Sequence, residues 1–372
     1  MLARGPGRAA EDPLASGCDN ALLIRYGGLA ADEHLVQKRY FVQKRLYTLQ
    51  IESTDDCPQD CVFCYAGGTG VGKRGLDAAE IRGLLEDAAT LGIRAIDWLG
   101  GDPLTRPDWH ELMLHAARLG LVNNIWTSGL PLRERTVAAR VREAASRGFV
   151  SVHSDSIFPA TLARLRRGGG AGSFEAIAQG VDNLLALGHP PDRIINCITF
   201  TSVQEPRDTI ETMRWWFENK GVRTCLTMFN PTGEGAALHF LEPDPGAVRE
   251  VYRERDRINF GDGQGTIGAM DTDKFYCGTM ATVTFTGDVT PCSVIREGVG
   301  NIREARLAEI VARHGDALVH ERLHDACNLP APCDACADND HCWGCRATAH
   351  NYCGDADGLD PKCWRIRAGE DR

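Results

Sequence analysis

The sequence has no uninterrupted apolar run approaching the roughly 18 residues that a membrane-spanning helix needs. It is also short of positive charge, with 41 Lys and Arg against 51 Asp and Glu and a formal net charge of −10. This deficit argues against broad binding to the phosphate backbone of nucleic acids, although it leaves room for a local basic patch. The N-terminal segment lacks the apolar stretch of a secretory signal, so we expect a cytoplasmic protein.

Cysteine, by contrast, is abundant, with 15 among the 372 residues. In a small secreted protein this content would indicate a disulfide framework. This chain is long and its cysteines are clustered, with three between positions 57 and 64 and nine between 277 and 363. Thiolates are the soft ligands of zinc and of iron–sulfur clusters, so the clustering predicts metal sites.

Six β-rich runs, each followed by a polar loop and then a helical pattern, occupy the first two thirds of the chain. The runs lie at 46–53, 95–100, 123–127, 149–153, 193–200 and 222–229. Asp77 and Glu80 have the capping-box spacing that begins a helix. The alternation predicts a parallel sheet, either doubly wound or an incomplete barrel. In both folds, functional groups are expected in the loops after the carboxyl ends of the strands.

The chain divides into four predicted parts. They are an N-terminal extension (1–45), a core (46–235), a linker (236–275) and a cysteine-rich C-terminal domain (276–372). The linker interpretation depends on Pro243, Pro245 and a glycine-rich stretch at 261–268. The last part has little apolar material for a core, so we expect it to fold around metal.

The first cysteine cluster comes directly after the first predicted strand. Cys57, Cys61 and Cys64 have the spacing C-x3-C-x2-C. Three thiolates leave one corner of a four-iron cluster without a protein ligand, and a reactive metal site needs such an open position. A zinc site completed by a distant Cys or His is the alternative.

This triad, with aromatic Phe63 before its last cysteine, resembles the signature of the radical S-adenosylmethionine (SAM) enzymes. The resemblance implies an α/β fold, a partial (β/α)6 barrel, in which the three thiolates hold a [4Fe-4S] cluster and SAM chelates the fourth iron. Reductive cleavage of SAM would give a 5′-deoxyadenosyl radical that abstracts a hydrogen atom from the substrate. A flavodoxin or ferredoxin is the reductant that the resemblance implies.

A motif after the second predicted strand resembles the GGEP motif of this family. Gly100, Gly101 and Asp102 precede Pro103, so that Asp replaces the usual Glu. In the family this motif contacts the amino group of SAM. The shorter Asp side chain keeps the carboxylate but reduces its reach by one methylene, and an ordinary glycine turn is the alternative.

Other strand ends carry weaker matches. Ser128 and Ser154 follow the third and fourth predicted strands, where relatives place polar groups near the ribose and the carboxylate of SAM. Serine is also common in caps and turns. Pro231 begins a Pro-Thr-Gly turn that resembles one near the adenine in the family. Arg164 and Arg166 are candidates to neutralise the SAM carboxylate, and solvated helix arginines are the alternative.

The C-terminal cysteines resemble the SPASM extension of radical SAM enzymes, which carries auxiliary iron–sulfur clusters. By this resemblance, one auxiliary [4Fe-4S] cluster is held by Cys333, Cys336, Cys342 and Cys363. A second is held in part by Cys277, Cys292 and Cys345. The interval between Cys342 and Cys345 is one residue shorter than in the family.

The second auxiliary cluster has no obvious fourth ligand. Asp271 stands where sulfatase-maturing relatives have a cysteine, and Asp273, Cys225 or Cys327 are other candidates. The position could also be open to substrate. A pair of structural zinc knuckles is the alternative for this region.

The resemblance implies an oxidoreductase or an epimerase that begins by abstracting a substrate C–H hydrogen. Cys197 and Cys225, on the fifth and sixth predicted strands, are candidate hydrogen donors for epimerisation, although buried cysteines are more often apolar filler. The segment before the first strand is too short for the fused recognition domain of many peptide-modifying relatives. This favours a small molecule, such as a sugar in natural-product biosynthesis. Modification or cross-linking of a ribosomally made peptide with a separate recognition partner is the alternative, and a non-catalytic metal-binding or electron-relay protein is the alternative of another class.

Overall fold

The computed structural model describes residues 31–67, 72–168, 170–261, 273–340 and 342–366. The strands are β1 (Thr48–Glu52), β2 (Ala95–Leu99), β3 (Val122–Thr127), β4 (Val150–His153), β5 (Ile194–Phe200), β6 (Arg223–Met228), β7 (Met280–Val283), β8 (Asp288–Thr290) and β9 (Gly300–Asn301). The α-helices up to β6 are α1 (Ala31–Val42), α2 (Ala78–Thr90), α3 (Trp109–Arg118), α4 (Arg135–Ala144), α5 (Pro159–Leu165), α6 (Ser173–Ala186) and α7 (Pro206–Lys220). The later ones are α8 (Pro245–Phe260), α9 (Lys274–Cys277), α10 (Leu307–Leu318) and α11 (Arg346–Cys353). None of these helices is long and apolar enough to cross a membrane.

One open sheet joins all nine strands in the order β6-β5-β4-β3-β2-β1-β7-β8-β9. Strands β1 to β6 are parallel, and each pairs with the next one along the chain. A doubly wound sheet would reverse this order at a switch point, whereas a barrel winds in one direction. The order therefore agrees with a partial barrel, and all six predicted strands are confirmed.

The strands alternate between an apolar outer face and a polar inner face. In β1, Leu49 and Ile51 join the main core under the helices, whereas Gln50 between them lies on the other face and lines a cavity. In β4, Val150 and Val152 join the core while Ser151 lines the same cavity. Fully covered parallel strands are usually apolar on both faces, so this alternation marks an interior that is built to face polar groups.

The predicted linker (236–275) contains the helix α8. Pro245 opens α8 at its first turn, and the Asp244 side chain accepts hydrogen bonds from the amides of Gly246 and Ala247. Proline is favoured at this position because its missing N–H would have no intrahelical partner. The helix covers the edge strand β6, where the Asn259 amide bonds both the N–H and the carbonyl of Thr224. Most of the glycine-rich stretch lies outside the described residues.

The C-terminal part extends the sheet of the core. Strand β7 pairs in parallel with β1, with Thr48 opposite Met280. Strands β8 and β9 then add antiparallel pairs. Helix α10 packs its buried Leu307 and Ile310 onto the main core. This arrangement brings the loop after β8, which carries Cys292, to the cavity side of the sheet.

Candidate active site

The carboxyl ends of the parallel strands surround an open cavity of about 170 Å³. The loops after β1, β2 and β3 contribute Cys57, Gly100 and Ser128 to its wall. The C-terminal part contributes Ser293 and Val294. Its position agrees with the rule that parallel α/β folds place chemistry beyond the carboxyl ends of their strands.

Cys57, Cys61 and Cys64 all line this cavity. The amide of Gly67 donates a hydrogen bond to the Cys64 Sγ at 3.2 Å. Burial raises the pKa of Cys57 to about 12 and also raises the pKa of Cys61 and Cys64. Buried thiols of this kind become thiolates when a bound cation compensates their charge. The three side chains therefore fit the ligand set of a metal cluster.

The glycine motif after β2 is packed directly against the cysteine loop. The Gly101 amide donates to the carbonyl of Thr54 at 2.6 Å, and the Asp102 amide donates to the carbonyl of Asp56 at 2.6 Å. A Cβ at Gly101 would lie 2.1 Å from the Asp56 carbonyl oxygen. Only glycine permits this approach, so the two loops form one backbone wall that faces the cavity.

Gly101→Ala is expected to separate these two loops. We expect the free energy of unfolding to fall by about 1–3 kcal/mol, as for other overpacked sites, and SAM affinity to fall with it. Urea denaturation and equilibrium dialysis with SAM measure the two effects. The control is Gly83→Ala in α2, where a Cβ meets no atom within 4 Å and SAM binding should not change. Equal SAM affinity in the two variants would contradict the packing argument.

Asp102 is fully buried and is not among the described residues that line the cavity. Its carboxyl group accepts hydrogen bonds from the Leu104 amide at 3.0 Å, the Thr127 Oγ1 at 2.8 Å and the Ser128 amide at 3.0 Å. Burial raises its pKa despite these bonds. In this arrangement the carboxyl group joins the loops after β2 and β3 and does not face a ligand. The motif presents Gly100 and Gly101 to the cavity instead.

The other predicted SAM-site residues have different surroundings. Ser128 lines the cavity. Ser154 is buried, and its Oγ has no hydrogen-bond partner in the described structure. Pro231 is half-buried outside the described lining, but the turn it begins contacts the cysteine loop. There the Glu234 amide donates to the carbonyl of Cys64 at 2.9 Å.

Of the two candidate arginines, Arg164 is exposed and Arg166 is buried beside the cysteine loop. The backbone of Arg166 forms an antiparallel bridge with Cys61, and its guanidinium lies 5.6 Å from the ring centroid of Phe63. The guanidinium also pairs with the buried carboxylate of Asp155. Its positive charge is therefore held next to the cysteine triad.

Asp155 connects Arg166 to a histidine in the cavity wall. The His153 Nε2 lies 3.0 Å from the Asp155 Oδ1, and the Thr199 amide donates to the same oxygen at 2.9 Å. Burial opposes charge on the carboxyl group, but His153 and Arg166 together hold the pKa of Asp155 well below its usual value. Asp155 is therefore a fixed anion between the Arg166 guanidinium and the His153 imidazole.

Cys197 and Cys225 lie opposite each other in the register of β5 and β6. Cys197 lines the cavity, whereas Cys225 is outside the described lining and packs with Phe149 and Ile195. A hydrogen bond between the two thiols lowers the pKa of Cys197 and raises that of Cys225. Only Cys197 is thus placed to meet a substrate.

The C-terminal cysteines form two neighbourhoods. Burial and the nearby Cys363 raise the pKa of Cys333 to about 11 and that of Cys342 to about 12. Arg365 contacts the Cys336 Sγ at 3.6 Å, which places Cys336 next to this group. These four are the residues that the resemblance assigns to one auxiliary cluster.

Cys292 and Cys345 form the second neighbourhood. Burial, followed by the charge of Cys345, raises the pKa of Cys292 to about 11. Amides of Val294 and Thr348 donate to the Sγ atoms of Cys292 and Cys345, both at 3.4 Å. Cys277 packs against a separate aromatic cluster.

The candidates for the missing fourth ligand of the second auxiliary cluster differ in burial and in their existing contacts. Asp271 lies outside the described residues. Asp273 is buried as the N-cap of α9, and Cys327 is exposed. The Cys225 thiol is already hydrogen-bonded to the Cys197 thiol. In the described part of the chain, no three His, Cys, Asp or Glu side chains are arranged to hold a single metal ion.

Comparison with protein families decides the family of this chain. The model of the radical SAM superfamily matches residues 51–215, which include the cysteine triad and the glycine motif. This part of the chain is a radical SAM domain. A second model, the SPASM iron–sulfur cluster-binding domain, matches residues 275–343. The radical SAM protein described here therefore binds SAM at a [4Fe-4S] cluster and carries auxiliary clusters.

Curated relatives extend over most of this radical SAM chain. A PqqA peptide cyclase of Xanthomonas euvesicatoria is 25% identical over 346 residues, covering 85% of this chain and 87% of that protein. A PqqA peptide cyclase of Xanthomonas campestris (strain 8004) is 27% identical over 347 residues, covering 86% of each chain. A probable GTP 3′,8-cyclase of Methanosarcina acetivorans is 24% identical over 283 residues, covering 71% of this chain and 82% of that protein.

Solved structures support the fold of the radical SAM chain. Streptococcus suis SuiB bound to SAM has a TM-score of 0.63 at 15% identity and covers 90% of this chain and 81% of SuiB. Native anSMEcpe with bound AdoMet has a TM-score of 0.62 at 16% identity and covers 86% of this chain and 94% of that one. The predicted partial barrel with a C-terminal SPASM domain is thereby confirmed.

Two residues of the cavity wall, Gln59 and His153, were not predicted as site residues from the sequence. The Gln59 amide donates to the carbonyls of Ser128 and His153, at 3.1 and 2.6 Å, and so ties the cysteine loop to the next strands. His153 ends β4 two residues before Asp155. Its position at the carboxyl end of a strand was the available signal for a functional role.

Proposed function

We propose that this radical SAM enzyme modifies or cross-links a ribosomally made peptide, which a separate recognition partner presents. The observation that carries the proposal is the similarity to PqqA peptide cyclases over 85% of this chain and 87% of the relative. A match of this extent covers both the barrel and the cysteine-rich part. It favours a peptide over the small molecule that the short N-terminal segment suggested.

In this proposal Cys57, Cys61 and Cys64 hold the [4Fe-4S] cluster that binds SAM. When bound, that cluster supplies the electron that cleaves SAM to the hydrogen-abstracting radical. Gly100 and Gly101 shape the wall beside SAM, and Ser128 in the same wall is available to its polar groups. Ser154, which is buried outside the described lining and has an unpartnered Oγ, is the second proposed contact. The turn that Pro231 begins supports the cysteine loop from the adenine side of the proposed site. Arg166 supplies positive charge for the SAM carboxylate.

Two auxiliary clusters complete the proposed site. The set Cys333, Cys336, Cys342 and Cys363 holds one, and Cys277, Cys292 and Cys345 hold the other, with Asp271 as its candidate fourth ligand. Ser293 and Val294, next to Cys292, line the same cavity as the triad. A substrate in the cavity would therefore lie between the SAM site and an auxiliary ligand, which suits the removal of an electron after hydrogen abstraction.

A second candidate is a small-molecule substrate, with dehydrogenation or epimerisation as the outcome. The similarity to a GTP 3′,8-cyclase over 71% of this chain favours it. Epimerisation also needs a hydrogen donor, and Cys197 is the thiol in the cavity wall. Cys225 would then act behind it, through the hydrogen bond between the two thiols.

Anaerobic turnover tests the proposal directly. The reconstituted enzyme is incubated with SAM, dithionite and synthetic peptides encoded by short reading frames beside its gene. We expect one peptide to raise 5′-deoxyadenosine formation and to lose hydrogen mass, as measured by mass spectrometry. Flavodoxin or ferredoxin should replace dithionite as the electron source.

Two results would contradict the proposal. Absence of 5′-deoxyadenosine from a fully iron-loaded sample would reject radical chemistry. Turnover of a nucleotide or sugar, with every peptide inert, would favour the second candidate. In that case Cys197→Ser separates its outcomes, because loss of a required donor stops epimerisation but not dehydrogenation.

A further inference from the structure

Oxidative modification of a peptide C–H group releases a proton, which a base must accept. The first hydrogen leaves as an atom, and the remaining substrate radical must lose one electron and one proton. In the cavity a positioned base can accept this proton. Among the described residues of the cavity wall there is no Asp, Glu, Lys or Arg. Apart from the cysteine triad, its titratable side chains are Tyr65, His153 and Cys197.

Two of these three groups are poor proton acceptors. Burial raises the pKa of the Tyr65 phenol, which stays protonated, and a neutral phenol is a weak base. The Cys197 thiol is engaged with Cys225. His153 differs from both because an imidazole accepts a proton near neutral pH.

The surroundings of His153 fix its orientation and its tautomer. An ionised Asp155 can only accept, so the Nε2 of His153 carries the proton that bridges their 3.0 Å separation. The Nδ1 then holds the free lone pair. Asp155 is itself fixed by Arg166 and by the Thr199 amide. The ring stacks 6.1 Å from Phe63, and about a quarter of the side chain stays accessible.

The charges around this imidazole favour proton uptake. Burial alone would lower its pKa, but the Asp155 carboxylate outweighs burial and raises it, with a smaller contribution in the same direction from Cys197. Arg166 opposes them. Asp155, Cys197 and Arg166 are the charged or titratable groups with the largest effects on the pKa of the ring. A carboxylate behind a histidine, which stabilises the imidazolium once it forms, is a familiar arrangement in acid–base catalysis.

We propose that His153 is the catalytic base of this site, accepting at its Nδ1 the proton that the substrate radical loses. This inference rests on the proposed oxidation of a peptide. In that oxidation one C–H bond would break to give 5′-deoxyadenosine, and an auxiliary cluster held by the C-terminal cysteines would accept one electron from the substrate radical. The matching proton moves to His153, so that two electrons and two protons leave the substrate in all. Asp155 is a positioning residue that stabilises the resulting imidazolium.

His153→Gln tests the assignment in the holoenzyme. With the peptide that supports turnover in the assay above, we expect the ratio of product to 5′-deoxyadenosine to fall about 100-fold, the lower range of general-base effects. The matched control is His110→Gln, which removes a half-buried histidine that pairs with Glu143 at 3.1 Å and lies outside the cavity lining; it should keep the wild-type ratio. A wild-type ratio in His153→Gln would overturn the proposal.

The pH profile separates a base from a merely structural residue. Product formation should rise with pH through the pKa of His153, because only the neutral ring accepts a proton. Asp155→Asn removes the charge that raises this pKa, so the rising limb should move to lower pH. A limb that stays in place in Asp155→Asn would overturn the assignment.

Chemical labelling distinguishes failure of this inference from failure of the proposed function. If no peptide is turned over, the proposed function is wrong, and diethyl pyrocarbonate labelling of the SAM-bound holoenzyme still examines His153. Labelling of a peptide containing His153, with Asp155→Asn lowering the pH at which it begins, supports a free imidazole nitrogen in the cavity. Complete protection of His153 by SAM would make it a cofactor ligand and overturn its role as the base.

Discussion

Replacing Cys57, Cys61 and Cys64 together by alanine is expected to abolish 5′-deoxyadenosine formation. The three thiols line one cavity wall, and burial raises the pKa of Cys57 to about 12. Burial disfavours an isolated thiolate in this wall. The three thiols therefore ionise together when bound iron neutralises their negative charge. Removing the set leaves no partial ligand for the cluster. The iron content per chain should fall by the iron of one [4Fe-4S] cluster, as measured by iron analysis and electron paramagnetic resonance.

Cys353 provides the control for this triple variant because it is exposed and is not among the proposed cluster ligands. Its alanine variant should keep the iron content and the 5′-deoxyadenosine yield of the wild type. Retention of SAM cleavage in the triple variant would contradict the assignment of the triad. Zinc bound at the triad in anaerobically prepared wild-type protein would do the same.

The strands of the barrel were predictable because each carries a short β-rich run that ends in a polar or glycine-containing loop. The pairing of β7 with β1 was not, since Thr48 and Met280 are far apart in sequence and no local pattern records their contact. Helix α8 was missed for a different reason. Proline was taken as a break, whereas Pro245 occupies the first helical turn, where proline is compatible with a helix.

The same distinction applies to the site: features recorded in a short stretch of sequence were predictable, and features that depend on distant contacts were not. The cysteine spacings are local, so the ligand sets could be proposed from sequence. Which of two paired cysteines faces the cavity depends on the curvature of the sheet, and here it is Cys197 rather than Cys225. His153 becomes a candidate only when Asp155 and Arg166 are seen behind it. Contacts of this kind form only in the folded chain, so the sequence around His153 does not reveal them.

Asp102→Ala is expected to lower both the stability of the barrel and its affinity for SAM. The change leaves the buried amides of Leu104 and Ser128 without their acceptor. Each unpaired buried amide costs about 1–3 kcal/mol, so the free energy of unfolding should fall by about 3 kcal/mol. Ser128 lines the cavity and would lose its anchor, which should weaken SAM binding. Urea denaturation and equilibrium dialysis measure the two losses.

Asp102→Glu gives the sharper contrast because it restores the residue that is usual in the family motif. The Asp102 side chain has no exposed surface, and its hydrogen bonds to Leu104, Thr127 and Ser128 are already 2.5–3.0 Å long. An added methylene must displace one of the two loops, so we expect Glu to be destabilising here as well. Asp316→Ala, on the exposed face of α10, should change neither quantity. If Asp102→Glu matched the wild type in stability and bound SAM more tightly, the carboxyl group would be a direct SAM ligand and its role as a link between two loops would be wrong.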